Sequence, residues 1–175
     1  LEFDTPEFSF VLDKNGFPID IIRRGRNVSE MMIEDMMVQA NEAVAKYMVD
    51  HKFPAIYRVH ENPKEDRLRE VFGIVRKFDS SIKTPGVEIS PKDIQQALTK
   101  VANTPNYGVI NTLFLRSMAK ARYSEECLGH YGLALKYYCH FTSPIRRYPD
   151  LVVHRMLKEY VFKTASIPEN KNMDL

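Results

Sequence analysis

The densest group of chemistry-bearing side chains runs from His140 to Arg155, H-F-T-S-P-I-R-R-Y-P-D-L-V-V-H-R. Ser143 followed by Pro144 reads as a helix start. A serine hydroxyl accepts an orphan backbone N–H, and proline is best tolerated at the first helical position. The helix is expected to run from Pro144 to about Lys163, with Pro149 removing one hydrogen bond and kinking it. Its positive dipole end then gathers near Thr142 and Ser143, and Arg146 and Arg147 add two guanidinium forks there. Arginine at that end repels the dipole, but suits the site if a phosphate is the occupant. Neighbours on a helix point roughly 100° apart. One arginine therefore faces a ligand while the other pairs with Asp150, three residues after Arg147. By residue type alone, a solvated face with weak surface ion pairs explains the arginines equally well.

Two further groupings are weighed in the same way. Asp150 and His154 share a helix face, which fits either base chemistry or a structural hydrogen bond. Cys127, His130, Cys139 and His140 invite a zinc reading. Adjacent ligands strain a single tetrahedral site, however, and no second tight pair follows, so no metal ligand is assigned. Nucleotide-loop, H-E-x-x-H and G-x-S-x-G patterns are absent. The aspartates are scattered, and adjacent acidic pairs occur only at Glu34-Asp35, Glu65-Asp66 and Glu125-Glu126. Holding two cations about 4 Å apart needs a denser set.

The elements that position these residues follow from pattern. Phe8 to Leu12 and Phe17 to Arg24 read as strands joined at Asn15-Gly16. Asn27 or Ser29 opens a helix to about Met48, and its stripe of Met32, Ile33, Met36, Met37, Ala40, Val44 and Met48 is expected in a core. Pro54 to His60 reads as a strand. Helices are expected over Lys64 to Phe78, Lys92 to Val101 after Ser90-Pro91, and Tyr107 to Tyr123. Gly129 to Gly132 is a turn, and Ala165 to Leu175 a linker.

The chain of 175 residues is 44% hydrophobic and 27% charged, with a net charge of +2. One domain with a real core is expected. The charge is uneven, with Arg23, Arg24 and Arg26 clustered. Between Thr142 and Lys163, the cations Arg146, Arg147, Arg155, Lys158 and Lys163 outnumber the anions Asp150 and Glu159. Such local patches matter more to a phosphate partner than the total. Two cysteines are too few for a disulfide framework and point to a reducing, cytoplasmic setting. No apolar run reaches the length of a membrane span. Without an initiator methionine or a signal peptide, the chain is expected to begin inside a longer protein.

Taken together, H-F-T-S-P-I-R-R-Y-P-D-L-V-V-H-R at 140–155, G-H-Y-G-L-A-L at 129–135, P-A-I-Y-R-V-H-E at 54–61 and I-E-D-M-M-V-Q-A-N at 33–41 resemble, in order and spacing, blocks of the ribonuclease II and ribonuclease R family. The H-F-T-S-P-I-R-R-Y-P-D form is more similar to the ribonuclease R branch. The resemblance spans roughly residues 1–163, leaving 164–175 as a linker or tail. It implies an α+β fold, the C-terminal portion of an RNB-type catalytic domain. It also implies a parent enzyme that degrades single-stranded RNA processively from the 3′ end to nucleoside 5′-monophosphates, by two-metal-ion catalysis with Mg²⁺.

By the same resemblance, Arg146 falls on the arginine that contacts phosphate near the scissile bond, and Glu34 on an acidic residue near the terminal nucleotide. Phe3 falls on an aromatic that stacks on the last bases. Thr142, Ser143, Arg147, Tyr148, His130 and His140 would contact RNA, with Asp150, His154 and Arg155 supporting them. The family's metal-binding aspartates lie before the region covered here, so the fragment is expected to be inactive alone. Two other readings stay open: a catalytically dead RNA-binding module, and a helical domain whose basic cluster meets an acidic protein.

Overall fold

The computed structural model describes residues 1, 3, 7–25, 27–86 and 88–162, so Arg26, Lys163 and the expected tail at 164–175 lie outside the described residues. The architecture is α+β, with five helices and two separate two-stranded antiparallel sheets among the described residues.

The chain opens with a hairpin of β1 (Glu7–Leu12) and β2 (Pro18–Arg24), paired from Glu7↔Arg24 to Leu12↔Pro18. Asp13 makes the turn. Its Oδ1 accepts the N–H groups of Asn15 at 2.8 Å and Phe17 at 2.9 Å. Gly16 supplies the positive φ of 84° that other residues resist. Both faces of this ribbon meet solvent: Phe10 is 63% exposed and Phe17 68%. Arg24 pairs with Glu30 at 2.8 Å, so one cation of the N-terminal cluster is already engaged.

Helix α1 (Val28–Asp50) begins with a reciprocal cap. Asn27 Oδ1 accepts the Glu30 N–H while Glu30 Oε2 accepts the Asn27 N–H. The expected apolar stripe enters the core only in its second half, at Val44 and Met48. Met32, Ile33 and Met36 are exposed, and the buried residues are Asn41, Ala45 and Met48 in the second half. Periodicity marks which face is apolar but not what covers it, and Met32 and Ile33 stay 50% exposed and Met36 58%.

Two clusters make the core. In the first, α2 (Glu65–Phe78), α3 (Pro91–Val101) and α4 (Tyr107–Ser117) pack Leu68, Phe72, Ile94, Leu98, Ile110 and Phe114 together. Ser90 and Asp93 cap α3 as the Ser-Pro cue indicates. In the second, Ala45 and Met48 of α1 meet Tyr57 and Val59 of β3 (Tyr57–Val59), Cys139, and Val153 of α5 (Tyr148–Leu157). The expected helix over Tyr107 to Tyr123 ends early, at Ser117. Arg122–Ser124 becomes β4, pairing Arg58 with Tyr123 and Val59 with Arg122. No helix among the described residues is long and apolar enough to cross a membrane.

Candidate nucleic-acid interface

The segment from Tyr138 to Arg147 has almost no regular structure of its own, yet three elements fix it. On one side β3 holds it: the Arg58 N–H donates to the Tyr138 carbonyl at 3.0 Å, and Tyr57 bridges to Cys139. On the other side α1 holds it. Asn41 Oδ1 accepts the N–H groups of Phe141 at 2.9 Å and Thr142 at 3.2 Å, and Asn41 Nδ2 donates to the Tyr138 hydroxyl at 3.3 Å. From α5, Asp150 Oδ1 accepts the Ser143 N–H at 2.8 Å.

The helix start differs from the Ser143-Pro144 expectation. Ser143 to Arg146 forms a tight turn in which the Ser143 carbonyl accepts the N–H groups of Arg146 at 3.2 Å and Arg147 at 3.1 Å. The helix begins at Tyr148, with Pro149 in its first turn. A helix begun at Pro144 would place Pro149 in its interior, where the ring meets a carbonyl four residues back. Starting at Tyr148 puts Pro149 where its missing N–H costs nothing. Pro149 therefore opens the helix and does not kink it. Beyond Leu157, Lys158–Phe162 widens into a π-type turn.

The two arginines diverge, although both precede the helix and the helical step does not set their directions. Arg147 donates through Nε at 3.1 Å and Nη2 at 2.8 Å to Asp150 Oδ1, and Asp150 is fully buried. Arg146 is exposed at the turn beside Ile145, with Nη2 3.5 Å from Ser143 Oγ. The pairing of Asp150 with His154 does not form. His154 Nε2 instead donates to the Phe141 carbonyl at 2.9 Å, and its ring stacks on Phe141 at 4.1 Å. The carboxylate was claimed first by the turn it closes. Asp150 Oδ2 remains buried without a hydrogen-bond partner.

Beside this turn lies a cluster of rings. Cross-strand pairing brings Arg58 over the exposed Tyr123 ring, 4.9 Å from its centroid. The Tyr123 hydroxyl meets His140 Nδ1 at 2.9 Å. His140 and His130 both meet the Tyr138 ring edge to face. His130 caps the short turn Tyr131–Leu133, its Nδ1 accepting the Leu133 N–H at 3.2 Å. His60 Nδ1 accepts the Gly132 N–H at 2.9 Å. A Cβ at residue 132 would lie 2.7 Å from that nitrogen, so glycine is required there.

Burial, then Arg147, Arg58 and Arg146, hold the His140 imidazole down to about 4. Burial, then His60 and Arg58, hold His130 down to about 4, and burial lowers His60. These rings are neutral at pH 7. An unfolded histidine titrates near 6.5, so between about 6.5 and 4 the unfolded chain binds more protons than the folded one. Stability is therefore present in full above pH 6.5 and falls as pH drops towards 4. Thermal melts across that window check this, and His130→Gln should flatten the dependence. A melting temperature that rises on acidification through the same window would contradict it.

The remaining expected residues lie apart. Glu34 is on the exposed half of α1, Tyr148 is exposed at the start of α5, and Arg155 is exposed further along the same helix. Phe3 packs half-buried against the α2–α4 cluster. The Cys127 thiol donates to the Lys136 carbonyl and the Cys139 thiol to the Asn41 carbonyl. Burial raises the Cys139 thiol to about 12, well above the range in which a thiolate ligand forms. Among the described residues no three histidine, cysteine or acidic groups converge to hold a metal. Sequence reasoning missed Arg58, Tyr123, Tyr138 and Asn41. Asn41 carried a signal, since it is a lone amide one turn before Ala45 and two before Met48 on the buried face of α1.

Known proteins share both the sequence and this geometry. Ribonuclease R 1 of Lactococcus lactis is 45% identical over 159 residues, which cover 91% of this chain and 20% of that protein. The chain thus spans about a fifth of the length of that curated relative. The solved structure of Mycoplasma genitalium RNase R in complex with ribose methylated single-stranded RNA superposes with a TM-score of 0.86 at 34% identity, covering 97% of this chain and 27% of that one. The same enzyme in complex with double-stranded RNA gives a TM-score of 0.86 over 97% of this chain and 30% of that one. Residues 1–163 match the family model described as the RNB domain, and the chain belongs to that family.

Proposed function

We propose that this chain is the RNA-end-binding portion of a cytoplasmic exoribonuclease that degrades single-stranded RNA from its 3′ end to nucleoside 5′-monophosphates. One observation carries the reading. Arg58 lies 4.9 Å from the centroid of the Tyr123 ring, the Tyr123 hydroxyl meets His140 Nδ1 at 2.9 Å, and Arg146 stands exposed on the turn that follows His140. Asp150 is already committed to Arg147, so the patch keeps positive charge beside the exposed ring of Tyr123. Phosphate meets the arginines, and a base has an aromatic surface on which to stack without regard to sequence. The RNA-bound relatives support the same direction.

In this reading Arg146 is the phosphate-contacting residue. Its fork is exposed, and the turn beneath it is fixed by Asp150, so the fork is ready where charge develops on phosphoryl oxygens. Arg147 neutralises the buried carboxylate that shapes the turn. Thr142 and Ser143 shape the same turn, His140 and His130 line its wall, and Tyr148 stands at its rim. Glu34 lies near the terminal nucleotide, and Phe3 stacks on the last bases in this reading. Mg²⁺ supplies phosphoryl-transfer chemistry in the parent enzyme. The described residues do not fit a magnesium cage, since no acidic cluster converges among them. In the proposal the ion and its ligands belong to polypeptide outside residues 1–175, and the chain alone does not hydrolyse RNA.

Fluorescence polarisation with a labelled oligo(A) tests the binding. Affinity is expected to fall steeply with salt, and Arg146→Ala to reduce the slope of log Kd against log salt by about 0.7. Absence of RNA binding at low salt would sink the reading. Mg²⁺-dependent release of nucleotides from poly(A) by purified 1–175 would overturn the proposed dependence on further polypeptide.

A further inference from the structure

We infer that Asn41 is a positioning residue that sets the phosphate-binding turn in register with the Glu34 face of α1. The inference rests on the reading above and deepens it. Asn41 is 3% exposed, and every polar atom of its side chain is spent on the Tyr138–Thr142 strap. One oxygen takes two consecutive backbone N–H groups, which no helix or sheet supplies with partners. The amide nitrogen holds the Tyr138 hydroxyl, and the Asn41 carbonyl accepts the Cys139 thiol at 3.4 Å. Four of the five strap residues from Tyr138 to Thr142, all but His140, are therefore touched by this single helix position.

The location gives these contacts a purpose beyond packing. Asn41 lies seven residues after Glu34, two helical turns along the same face. Downstream, the strap leads directly into Ser143, whose N–H is anchored on Asp150, and so to Arg146. Asn41 thus joins the helix bearing Glu34 by hydrogen bonds to the strap that leads into the turn bearing Arg146. A misplacement of about 1 Å between two groups that act on one substrate costs up to about 10²-fold in rate. Among apolar neighbours such as Ala45 and Met48, a residue serving only to fill space would not need two donors and an acceptor.

Two variants separate positioning from packing. Asn41→Leu keeps the branched outline of the side chain and loses its hydrogen-bonding groups, whereas Asn41→Asp keeps an acceptor oxygen. In the chain itself, hydrogen exchange at the Phe141 and Thr142 amides should quicken about tenfold in Asn41→Leu and return towards wild type in Asn41→Asp. In the full-length polypeptide, Asn41→Leu should lower kcat about tenfold or more while KM moves less than about threefold, and Asn41→Asp should recover most of the turnover. If the leucine variant does not fold, Tyr138→Phe, which strips the partner of Nδ2 alone, takes its place with a smaller loss in the same direction. A folded variant with wild-type exchange at both amides, or with wild-type kcat, overturns the inference. A wild-type polypeptide that leaves RNA intact would instead sink the proposed function, and the exchange result would stand apart from it.

Discussion

Replacing Arg146 with alanine lowers kcat for RNA hydrolysis by the full-length polypeptide about 10²–10³-fold, the range seen when one preorganised donor to a developing oxyanion is removed. KM is expected to change far less, because in the proposed role the lost contact strengthens as charge develops on the phosphoryl oxygens. Folding is almost untouched. Arg146 is exposed, and its guanidinium has a single long contact at Ser143 Oγ. Surface changes of that kind stay within about 0.5 kcal/mol. Arg146→Lys recovers part of the loss, since an ammonium restores the charge without the planar fork. Single-turnover kinetics together with a urea titration make the check. Unchanged turnover in a folded Arg146→Ala protein removes Arg146 from the phosphate site.

Asp150→Ala has the opposite profile. It destabilises the fold by about 3–5 kcal/mol, the loss expected when one partner of a buried ion pair is removed. Asp150 is 0% exposed, and its Oδ1 receives the Ser143 N–H together with two N–H groups of Arg147. Alanine leaves the Arg147 guanidinium and the Ser143 N–H without their acceptor. The double variant Asp150→Ala/Arg147→Ala should lose less than the two single losses together, because the stranded charge leaves with its partner. Urea unfolding of the four proteins measures the coupling. Strict additivity would place the stability of the turn elsewhere.

Much of this arrangement was legible because local chemistry decides it. Asn15-Gly16 announced the hairpin, Ser90-Pro91 announced α3, and the spacing of Arg147 from Asp150 announced their pairing, although Arg147 lies before the helix and not on it. The motif carried the family. What escaped was decided by partners distant in sequence. Two prolines offered two helix starts between Ser143 and Asp150, and the choice fell to the one that spares Pro149 an interior position. The Tyr107 pattern continued past Ser117 as apolar spacing, while β3 drew Arg122–Ser124 into a sheet. His154 shared a face with Asp150, but Phe141 offered a carbonyl and a ring together. Asn41 reaches residues about a hundred positions away, and no local pattern records such a pairing.

The β1–β2 ribbon has a thermodynamic signature. Phe8, Phe10, Leu12, Phe17, Ile19, Ile21 and Ile22 are more than half exposed in the folded chain. Water already hydrates them, so melting adds little to their contact with solvent. The heat capacity gained on unfolding tracks newly exposed apolar surface, about 12–15 cal/mol/K per residue in ordinary domains. For these 175 residues the gain per residue falls below that range, and the stability curve is correspondingly flat in temperature. A polypeptide that covers the ribbon recovers the missing heat capacity on unfolding, so calorimetry of the short and long chains measures how much of this surface the longer one buries.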